Sequence, residues 1–295
     1  MVASFERTSK VGDLMIRLLV TGANGQLGTE VTKMLRQDDQ YEVLAFNRHE
    51  LDITDAEQVM RKVIDTKPDW ILHCGAYTNV EQAEGEGYDA NWAINCDGSA
   101  NISKAAHEVR AKLIYISTDY VFDGKKGKPY TPDDEVNPLN EYGKAKLAGE
   151  QAVQKYYPDA YIIRTSWVFG EHGHNFVYTM LKLAEKTDNL KGVADQFGRP
   201  TYAPDLSLFM KHLIDTSPEG GIYHFSNDGE TSWYGFAKEI LKEKNVRITP
   251  VGSDEFPQKA ERPTYSVMSL DKVKESGFAV PTWKDALERF KNRIR

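Results

Sequence analysis

An apolar run followed by three regularly spaced glycines constrains the fold of this chain more than any other feature. Residues 16–20 are largely apolar, and they lead into Gly22, Gly25 and Gly28. A helix-like stretch, residues 26–36, begins within the same motif. A strand, a glycine turn and a helix in this order present backbone N–H groups to a pyrophosphate. The motif therefore predicts a dinucleotide-binding unit at the start of the fold.

The spacing of these glycines narrows the class of fold further. The pattern GxxGxxG, in place of GxGxxG, is typical of the short-chain dehydrogenase/reductase branch of dinucleotide-binding folds. Gly22 and Gly25 would allow a tight turn and a close approach of the backbone to a phosphate, and Gly28 would let the helix pack closely. An ordinary glycine turn between a strand and a helix would place the same residues there.

Strand and helix patterns alternate along the first half of the chain. Such alternation predicts a Rossmann-like α/β fold, a doubly wound parallel sheet with helices on both faces. Several strands are continuous apolar runs, as expected for a sheet that is buried on both sides. The strand candidates are residues 16–20, 42–46, 69–74, 112–117 and 160–165, and the helix candidates are residues 26–37, 55–65, 89–108 and 140–155.

The pattern changes after about residue 168, where glycine and proline become frequent and helices dominate. We expect helices at residues 176–186, 204–215, 233–244 and 284–293, and a strand at 220–226 that returns to the main sheet. The resulting domain prediction has three parts. They are a polar extension or leader (1–14), a dinucleotide-binding domain (15–168 plus about 203–226) and a smaller, mostly helical substrate lobe (about 169–202 plus 227–295).

Composition and charge exclude several classes of partner. The chain has 295 residues and a formal net charge of −7, which argues against general nucleic-acid binding because a phosphate backbone needs a basic face. No apolar run approaches the ~20 residues that span a bilayer. We therefore expect no membrane partner and a cytoplasmic location.

The cysteines and histidines give no sign of a metal site. Cys74 and Cys96 lie in apolar surroundings without a CxxC pair, which predicts buried free thiols in a reducing compartment. His172 and His174 are two residues apart in a glycine-rich loop, but no third ligand with suitable spacing accompanies them. We therefore predict no metal.

A tyrosine and a lysine four residues apart form the second informative motif. Tyr142 and Lys146 follow Pro138 in a helical pattern, so both side chains would share one helix face. A free tyrosine has a pKa of ~10, and a nearby ammonium would lower it. Such a pair can deliver a proton to a carbonyl oxygen during hydride transfer. A solvated Tyr and Lys on an amphipathic helix is the alternative interpretation.

Thr118 is the third informative residue, because it lies at the carboxyl end of a predicted strand about twenty-five residues earlier. Ligands of open α/β sheets bind beyond these strand ends. The Thr118 hydroxyl could polarise a substrate carbonyl, although a Ser or Thr is also an ordinary strand terminus. The glycine turn, Thr118 and the Tyr142–Lys146 pair occur in the order and at the separations that a carbonyl reductase needs.

From about residue 16 to its C-terminus the chain resembles an extended short-chain dehydrogenase/reductase, and within that superfamily it is similar to the dTDP-4-dehydrorhamnose reductase family. Gly75-Ala76 is a mild departure, because neighbouring family patterns have two alanines there. The motifs that carry the resemblance are TGANGQLG (21–28), LDIT (51–54), STDYVFDG (117–124), NPLNEYGKAKLAGE (137–150), RTSWVFG (164–170), NF (175–176), DQFGRPT (195–201) and RP (262–263).

The resemblance implies a reaction and a catalytic triad. The reaction is reduction of the C4 ketone of dTDP-4-dehydro-β-L-rhamnose to dTDP-β-L-rhamnose, the last step in making a nucleotide-sugar precursor of cell-surface polysaccharide. Thr118, Tyr142 and Lys146 would be the catalytic residues, and Lys146 would also hydrogen-bond the nicotinamide ribose. Such enzymes occur as monomers or homodimers.

The cofactor is expected to be NADPH, with NADH possible. An acidic residue at the end of the second strand would favour NADH, but Phe46 is followed by Asn47, Arg48 and His49, and Arg48 could meet a 2′-phosphate. Asn95 could equally be an interior helix residue. The expected cofactor-binding residues are Gly22, Asn24, Gly25, Gln26, Leu27, Gly28, Asn47, Arg48, Asp52, Ile53, Gly75, Ala76, Tyr77, Asn95, Tyr142 and Lys146.

The expected substrate-binding residues are partly aromatic and partly basic. Arginine binds phosphate bidentately, which suits a diphosphate. Each of these residues could instead have an ordinary structural role. Asn175 could cap a helix, Trp167 and Tyr120 could pack in the core, and the arginines could be solvated. The set is Thr78, Val80, Thr118, Tyr120, Trp167, Asn175, Arg199 and Arg262.

Two other functions compete with a reductase. A sugar-nucleotide dehydratase typically has an Asp-Glu pair after the threonine, whereas this chain has Asp119 and Tyr120, and epimerases are usually longer with a TGGxGFIG-type loop. The non-catalytic regulatory subunit of methionine adenosyltransferase shares the fold and many cofactor residues. Its likeness is weaker at Thr165-Ser166-Trp167 and in the glycine loop that follows.

Overall fold

The computed structural model describes residues 15–256 and 258–295, so the predicted leader at 1–14 lies outside the described residues. Six parallel strands form the central sheet in the order β10-β5-β4-β3-β1-β2, which confirms the doubly wound α/β fold. These strands are β1 (Ile16–Thr21), β2 (Tyr41–Phe46), β3 (Trp70–His73), β4 (Lys112–Thr118), β5 (Tyr161–Thr165) and β10 (Gly221–His224).

Helices and short strands complete the fold. The helices are α1 (Gln26–Leu35), α2 (Ala56–Thr66), α3 (Val80–Ala83), α4 (Tyr88–Trp92), α5 (Ser99–Val109), α6 (Glu141–Tyr156), α7 (Phe176–Ala184), α8 (Ala203–Thr216), α9 (Trp233–Ile240), α10 (Asp271–Glu275) and α11 (Trp283–Ile294), with a π-helix at Ala93–Gly98 and 3₁₀ turns at Asp119–Val121 and Ser253–Glu255. The short strands are β6 (Val168–Phe169), β7 (Asn189–Val193), β8 (Phe197–Gly198), β9 (Thr201–Tyr202), β11 (Thr231–Ser232) and β12 (Arg247–Val251).

Both faces of the sheet are buried, and β1 shows why its sequence is apolar without alternation. Leu18 and Val20 point to one face, where they pack in a cluster with Phe209 of α8. Leu19 points to the other face and packs in a cluster with Val59 of α2. Successive strand residues face opposite sides, so a sheet covered by helices on both sides favours apolar residues at consecutive positions, as at Leu18, Leu19 and Val20.

A separate aromatic cluster forms the core of the second lobe. Phe169, Tyr202, Phe236 and Phe290 are all buried in it, and they join the short strands to α9 and α11. Residues 273–280 do not belong to this cluster, because Val273 packs with the core of the main sheet. The C-terminal part of the chain therefore contributes to both hydrophobic cores.

The region predicted as one helix at 89–108 is interrupted, which corrects that prediction. The chain forms α4, the π-helix and then α5. The π-helix lies against α6 so closely that a Cβ at Gly149 would be 2.2 Å from the Asn95 carbonyl oxygen. An apolar period near 3.6 residues does not reveal a local insertion of this kind. The pairing of β7 with β12 was also not predicted, because both strands are short and mix exposed with buried residues, without a continuous apolar run.

Gly28→Ala is expected to destabilise the fold by about 1–3 kcal/mol, because an added side chain would overlap the glycine turn. A Cβ at Gly28 would lie 2.1 Å from the Gly22 carbonyl oxygen. The matched control is Gly85→Ala, since a Cβ there meets nothing within 4 Å and Gly85 has no positive φ. Urea denaturation of both variants measures the effect. Equal unfolding free energies for the two variants would contradict the close packing.

Candidate active site

The glycine turn forms a bare backbone surface at the carboxyl end of the sheet. Gly22 has φ +65°, and a Cβ on it would lie 2.7 Å from the Gly75 backbone. Gly25 begins α1 and provides no side-chain cap, so the first N–H groups of the helix are free of a capping side chain. Free N–H groups and the positive end of a helix dipole suit a pyrophosphate. These residues fit a dinucleotide.

The predicted ribose-side residues lie at the end of β2. The Arg48 side chain is exposed, and β2 is followed by Asn47, whose N–H donates to the Glu50 carboxylate at 2.9 Å. The Asp52 carboxylate already accepts two hydrogen bonds from Thr54, whose backbone N–H and hydroxyl donate to Oδ1 at 3.0 and 2.7 Å. These bonds, together with the charge of Arg48, lower the pKa of Asp52. An exposed arginine at this place, without a direct ion pair in the described part of the chain, fits a 2′-phosphate better than a ribose diol.

Asn95 shapes the chain that follows β3. Its side chain is buried, accepts the Tyr77 N–H at 3.1 Å and donates to the Tyr77 carbonyl at 2.9 Å. It also donates to Asn91 at 2.8 Å. Because these hydrogen bonds engage the side-chain amide, Asn95 holds the 75–77 segment in place through Tyr77. Ile53 and Leu27 are likewise buried.

Thr118 and Tyr142 come together where β4 meets α6. Thr118 ends β4, is almost fully buried, and its oxygen accepts the Tyr120 N–H at 3.2 Å. Asn140 caps α6 by accepting the Gly143 N–H at 2.8 Å, which fixes the start of the helix two residues before Tyr142. Burial raises the pKa of Tyr142 to about 12, although hydrogen bonding with Thr118 acts in the opposite direction. The phenol is therefore fully protonated at neutral pH.

Lys146 lies one turn along α6 and is 1% exposed. Its Nζ donates to the Ile116 carbonyl at 2.6 Å and lies 4.2 Å above the Tyr115 ring. Burial lowers the pKa of Lys146 to about 7, and Glu150 partly opposes this. We expected the Lys146 ammonium to lower the Tyr142 pKa. That expectation is wrong for this structure, because burial dominates the Tyr142 pKa and Lys146 points to the β4 backbone.

A buried ion pair lies beneath this helix face. Arg164 of β5 donates to both oxygens of Glu150 at 2.9 and 2.7 Å, and both side chains are at most 3% exposed. The Ser117 hydroxyl donates to the same carboxylate. Glu150 stands four residues after Lys146 and eight after Tyr142, so the three side chains share one face of α6. The ion pair therefore holds the catalytic face of the helix against β4 and β5.

Arg262 and Tyr120 meet at the boundary between the main sheet and the second lobe. The Arg262 guanidinium lies 2.9 Å from a Glu81 oxygen, and Glu81 also accepts the Lys259 N–H at 2.8 Å. Burial raises the pKa of Tyr120 well above its ordinary value, and the nearby Arg262 charge opposes this. The Tyr120 ring makes an edge contact with the Tyr142 ring at 6.0 Å between centroids. Tyr120 thus lines the site.

The other predicted substrate residues have clear structural partners. Trp167 has φ +49° and stacks on Trp233 at 3.6 Å between ring centroids. Asn175 caps α7 by accepting the Tyr178 N–H at 3.2 Å and donates to Gln26 at 2.9 Å. These contacts match the alternatives of core packing for Trp167 and of a helix cap for Asn175. An unusual φ at a bulky residue also marks Trp167 as a constrained position.

Arg199, Thr78 and Val80 are the remaining residues that were predicted to bind substrate. Arg199 donates to the Met268 carbonyl at 3.0 Å and lies 3.7 Å from an Asp228 oxygen, so it is held within the second lobe. Its Nε is buried without a partner. Thr78, Ala76 and Asn24 are exposed, and Val80 begins α3 beside the site.

Several residues of the site were missed by sequence reasoning. Glu150 continues the four-residue spacing of Tyr142 and Lys146, so that spacing could have revealed it. Asp119 is adjacent to Thr118 and is buried, where its carboxylate accepts the Ser266 hydroxyl at 2.6 Å. Ser266 and Glu81 come from distant segments, and nothing in the local sequence indicates their contacts.

Cys74 and Cys96 are free but only partly buried, a correction to the prediction of buried thiols. Within residues 15–256 and 258–295, no group of three His, Cys, Asp or Glu side chains could hold a metal ion. In the same part of the chain, none of the helices has the length and apolarity to cross a membrane.

The parallel sheet, the glycine turn and the Thr118, Tyr142 and Lys146 cluster define a short-chain dehydrogenase/reductase. Comparison with known proteins specifies the family. The family model described as RmlD substrate binding domain matches residues 16–295, and the chain belongs to this family.

Curated relatives and solved structures agree with this family. The chain is 41% identical to the spore coat polysaccharide biosynthesis protein SpsK of Bacillus subtilis, over 94% of this chain and 97% of that protein. It is 39% identical to a dTDP-4-dehydrorhamnose reductase of Aggregatibacter actinomycetemcomitans, over 94% and 99%. The crystal structure of dTDP-4-dehydrorhamnose reductase from Bacillus anthracis in complex with NADP matches with a TM-score of 0.91 and 41% identity, over 95% and 100%.

Glu150→Gln is expected to lower the unfolding free energy by about 3–5 kcal/mol, because the Arg164 charge would remain buried without a counter-charge. Glu86→Gln, which removes an exposed carboxylate, is the control and should change stability little. Chemical denaturation at pH 7 measures both variants. A Glu150→Gln protein as stable as the control would show that the ion pair does not hold α6.

Proposed function

We propose that this protein reduces the C4 ketone of dTDP-4-dehydro-β-L-rhamnose to dTDP-β-L-rhamnose with NADPH, and that Thr118, Tyr142 and Lys146 carry the chemistry. One observation carries this proposal. A partly buried Tyr142, which its raised pKa keeps protonated, faces Thr118 at the carboxyl edge of the sheet, one helical turn from a fully buried Lys146. Reductase relatives that align over nearly the whole chain support the choice of substrate.

The residues that would hold the cofactor follow from the bare turn and from the exposed Arg48. When bound, NADPH supplies the hydride that the ketone carbon receives. The pyrophosphate would lie on the α1 N-terminus, and Arg48 would pair with the 2′-phosphate. The proposed contacts are Gly22, Asn24, Gly25, Gln26, Leu27, Gly28, Asn47, Arg48, Asp52, Ile53, Gly75, Ala76 and Tyr77, with Asn95 holding Tyr77 in place and Lys146 at the nicotinamide ribose.

The proton comes from Tyr142. Thr118 orients the ketone through its hydroxyl, and Tyr142 donates a proton to the ketone oxygen as negative charge develops there. Burial keeps the phenol protonated before reaction, with its pKa raised to about 12. Lys146 would stabilise the phenolate that remains after its ammonium leaves the Ile116 carbonyl, to which it donates in this structure, and turns towards Tyr142. Lys146 can do so because it lies on the same face of α6.

The second lobe would bind the nucleotide part of the substrate. Arg262 and Arg199 are the proposed diphosphate partners, and Arg262 would exchange its contact with Glu81 for the phosphate. Trp167 offers a partly buried ring beside these groups. Thr78, Val80, Tyr120 and Asn175 are proposed to border the sugar. We also propose the domain division given above, with residues 273–280 assigned to the main sheet whose core they join, a cytoplasmic location and a monomeric or homodimeric enzyme.

The surroundings of Thr118 favour reduction over dehydration. A dehydratase needs a second carboxylate beside Asp119 to remove a carbon-bound proton. The next residue is Tyr120, whose ring packs against the edge of Tyr142. A phenol at this place offers no base at neutral pH, because burial raises the Tyr120 pKa above its ordinary value.

Tyr142→Phe should lower kcat about 10²–10⁴-fold while leaving the fold and NADPH affinity unchanged, because only the proton donor is lost. NADPH oxidation with dTDP-4-dehydrorhamnose is the assay, and product analysis should identify dTDP-rhamnose. Tyr88→Phe removes a hydroxyl from an exposed tyrosine and serves as the control. Normal turnover by Tyr142→Phe would exclude Tyr142 as the donor, and failure of the wild type to reduce the ketosugar would overturn the proposed function.

Arg48→Asp should raise KM for NADPH by about 10-fold or more relative to KM for NADH, since it replaces a phosphate partner by a carboxylate. Initial rates with each cofactor at fixed ketosugar measure the two constants. NADH is the internal control because it lacks the 2′-phosphate. Equal changes in both constants would show that Arg48 does not read the phosphate.

A further inference from the structure

Asp119 is a buried carboxyl group that the proposed mechanism does not use. It is 2% exposed and lies between the catalytic strand and the second lobe. The Thr118 hydroxyl donates to its Oδ1 at 3.3 Å, and the Ser266 hydroxyl donates to its Oδ2 at 2.6 Å. A buried carboxyl held on both oxygens has a defined orientation.

Proton counting at Thr118 shows what this arrangement controls. The Thr118 oxygen already accepts the Tyr120 N–H, and its single hydroxyl proton has two acceptors within reach, the Asp119 carboxyl group and the Tyr142 oxygen, of which an ionised Asp119 is the stronger. With Asp119 ionised, the Thr118 hydroxyl proton is hydrogen-bonded to the carboxylate and is not available to a ketone oxygen. With Asp119 neutral, Ser266 still donates to Oδ2, so the carboxyl proton lies on Oδ1 and is donated to Thr118. The Thr118 proton then becomes free for the ketone.

We propose that Asp119, held by Ser266 of the second lobe, is a positioning residue that sets the direction of the Thr118 hydroxyl proton and thereby enables Thr118 to polarise the ketone. The proposal rests on the proposed function, because it concerns the ketone that Thr118 meets. In this proposal, the contact between Asp119 of the main sheet and Ser266 of the second lobe affects catalysis because it orients the Thr118 hydroxyl.

The surroundings of Asp119 place its titration near neutrality. Burial raises the pKa of Asp119 to about 7, against the hydrogen bonds from Ser266 and Thr118. Two ionisable groups face it, Tyr120 on its own segment and Tyr142 on α6, and both stay neutral at this pH because burial raises their pKa values. Arg262 faces Tyr120 from the second lobe. Protonation of Asp119 is therefore the change that redirects Thr118.

The test compares pH profiles of single-turnover ketosugar reduction. The wild-type rate should fall about tenfold per pH unit above a midpoint near 7, because the ionised form of Asp119 captures the Thr118 proton. Asp119→Asn should retain a rate similar to that of the wild type at pH 6 and show no such fall, since its amide donates permanently to Thr118. Asp133→Asn, which changes an exposed carboxyl group, should keep the wild-type profile.

Lys146 also titrates near pH 7, and the variants separate it from Asp119. A fall in rate that persists in Asp119→Asn with the wild-type midpoint would belong to Lys146 and would overturn the proposal. Ser266→Ala provides a second test, because loss of its donor should move the midpoint upwards by about one pH unit. An unchanged midpoint in Ser266→Ala would also overturn it.

Protonation of Asp119 can also be measured without cofactor or substrate, through the pH dependence of protein stability. Asp119 has a raised pKa in the folded state, so its contribution to stability is present below pH 4 and is lost as the pH rises to about 7. The stability advantage of Asp119→Asn over the wild type should grow across this window and stay constant above it. A constant difference from pH 4 to 8 would overturn the proposal. If the wild type does not reduce the ketosugar at all, the proposed function fails instead, and this measurement still tests Asp119.

Discussion

The buried ion pair between Glu150 and Arg164 is the interaction on which the active site depends. It joins α6 to β5, and the Ser117 hydroxyl joins the same carboxylate to β4. Because Tyr142, Lys146 and Glu150 follow one another at intervals of four residues, fixing Glu150 fixes the rotation of the helix. A pair this deeply buried stabilises little in net terms, but breaking it is strongly unfavourable. Its main consequence is a single orientation for α6.

The two ends of the site are built from opposite kinds of chemistry. At the cofactor end, a side chain on Gly22 or Gly28 would collide with neighbouring backbone. At the substrate end, side chains from distant segments meet in pairs: Asp119 with Ser266, and Glu81 with Arg262. The first end depends mainly on the glycine turn at residues 22–28 and its packing against Gly75. The second depends on how the second lobe lies against the sheet, and this is where substrate choice can be determined.

Local sequence predicted local structure well and distant contacts poorly. The strand–turn–helix of residues 16–35 and the shared face of Tyr142 and Lys146 follow from short-range spacing, and the structure has both. The π-helix at Ala93–Gly98 escaped prediction because its apolar pattern resembles that of an α-helix. The pairing of Asp119 with Ser266 spans 147 residues, so only the folded chain reveals it. The pKa of Lys146 likewise depends on burial that spacing does not report.

The central claim is that a hydride reaches C4 of the sugar while this chain supplies the proton. The most direct measurement incubates the protein with dTDP-4-dehydro-β-L-rhamnose and NADPH deuterated at the transferable position, and analyses the product by NMR and mass spectrometry. The account predicts dTDP-β-L-rhamnose with one deuterium at C4 and one NADPH oxidised per product molecule. Product without deuterium at C4, or sugar conversion without NADPH oxidation, would contradict it.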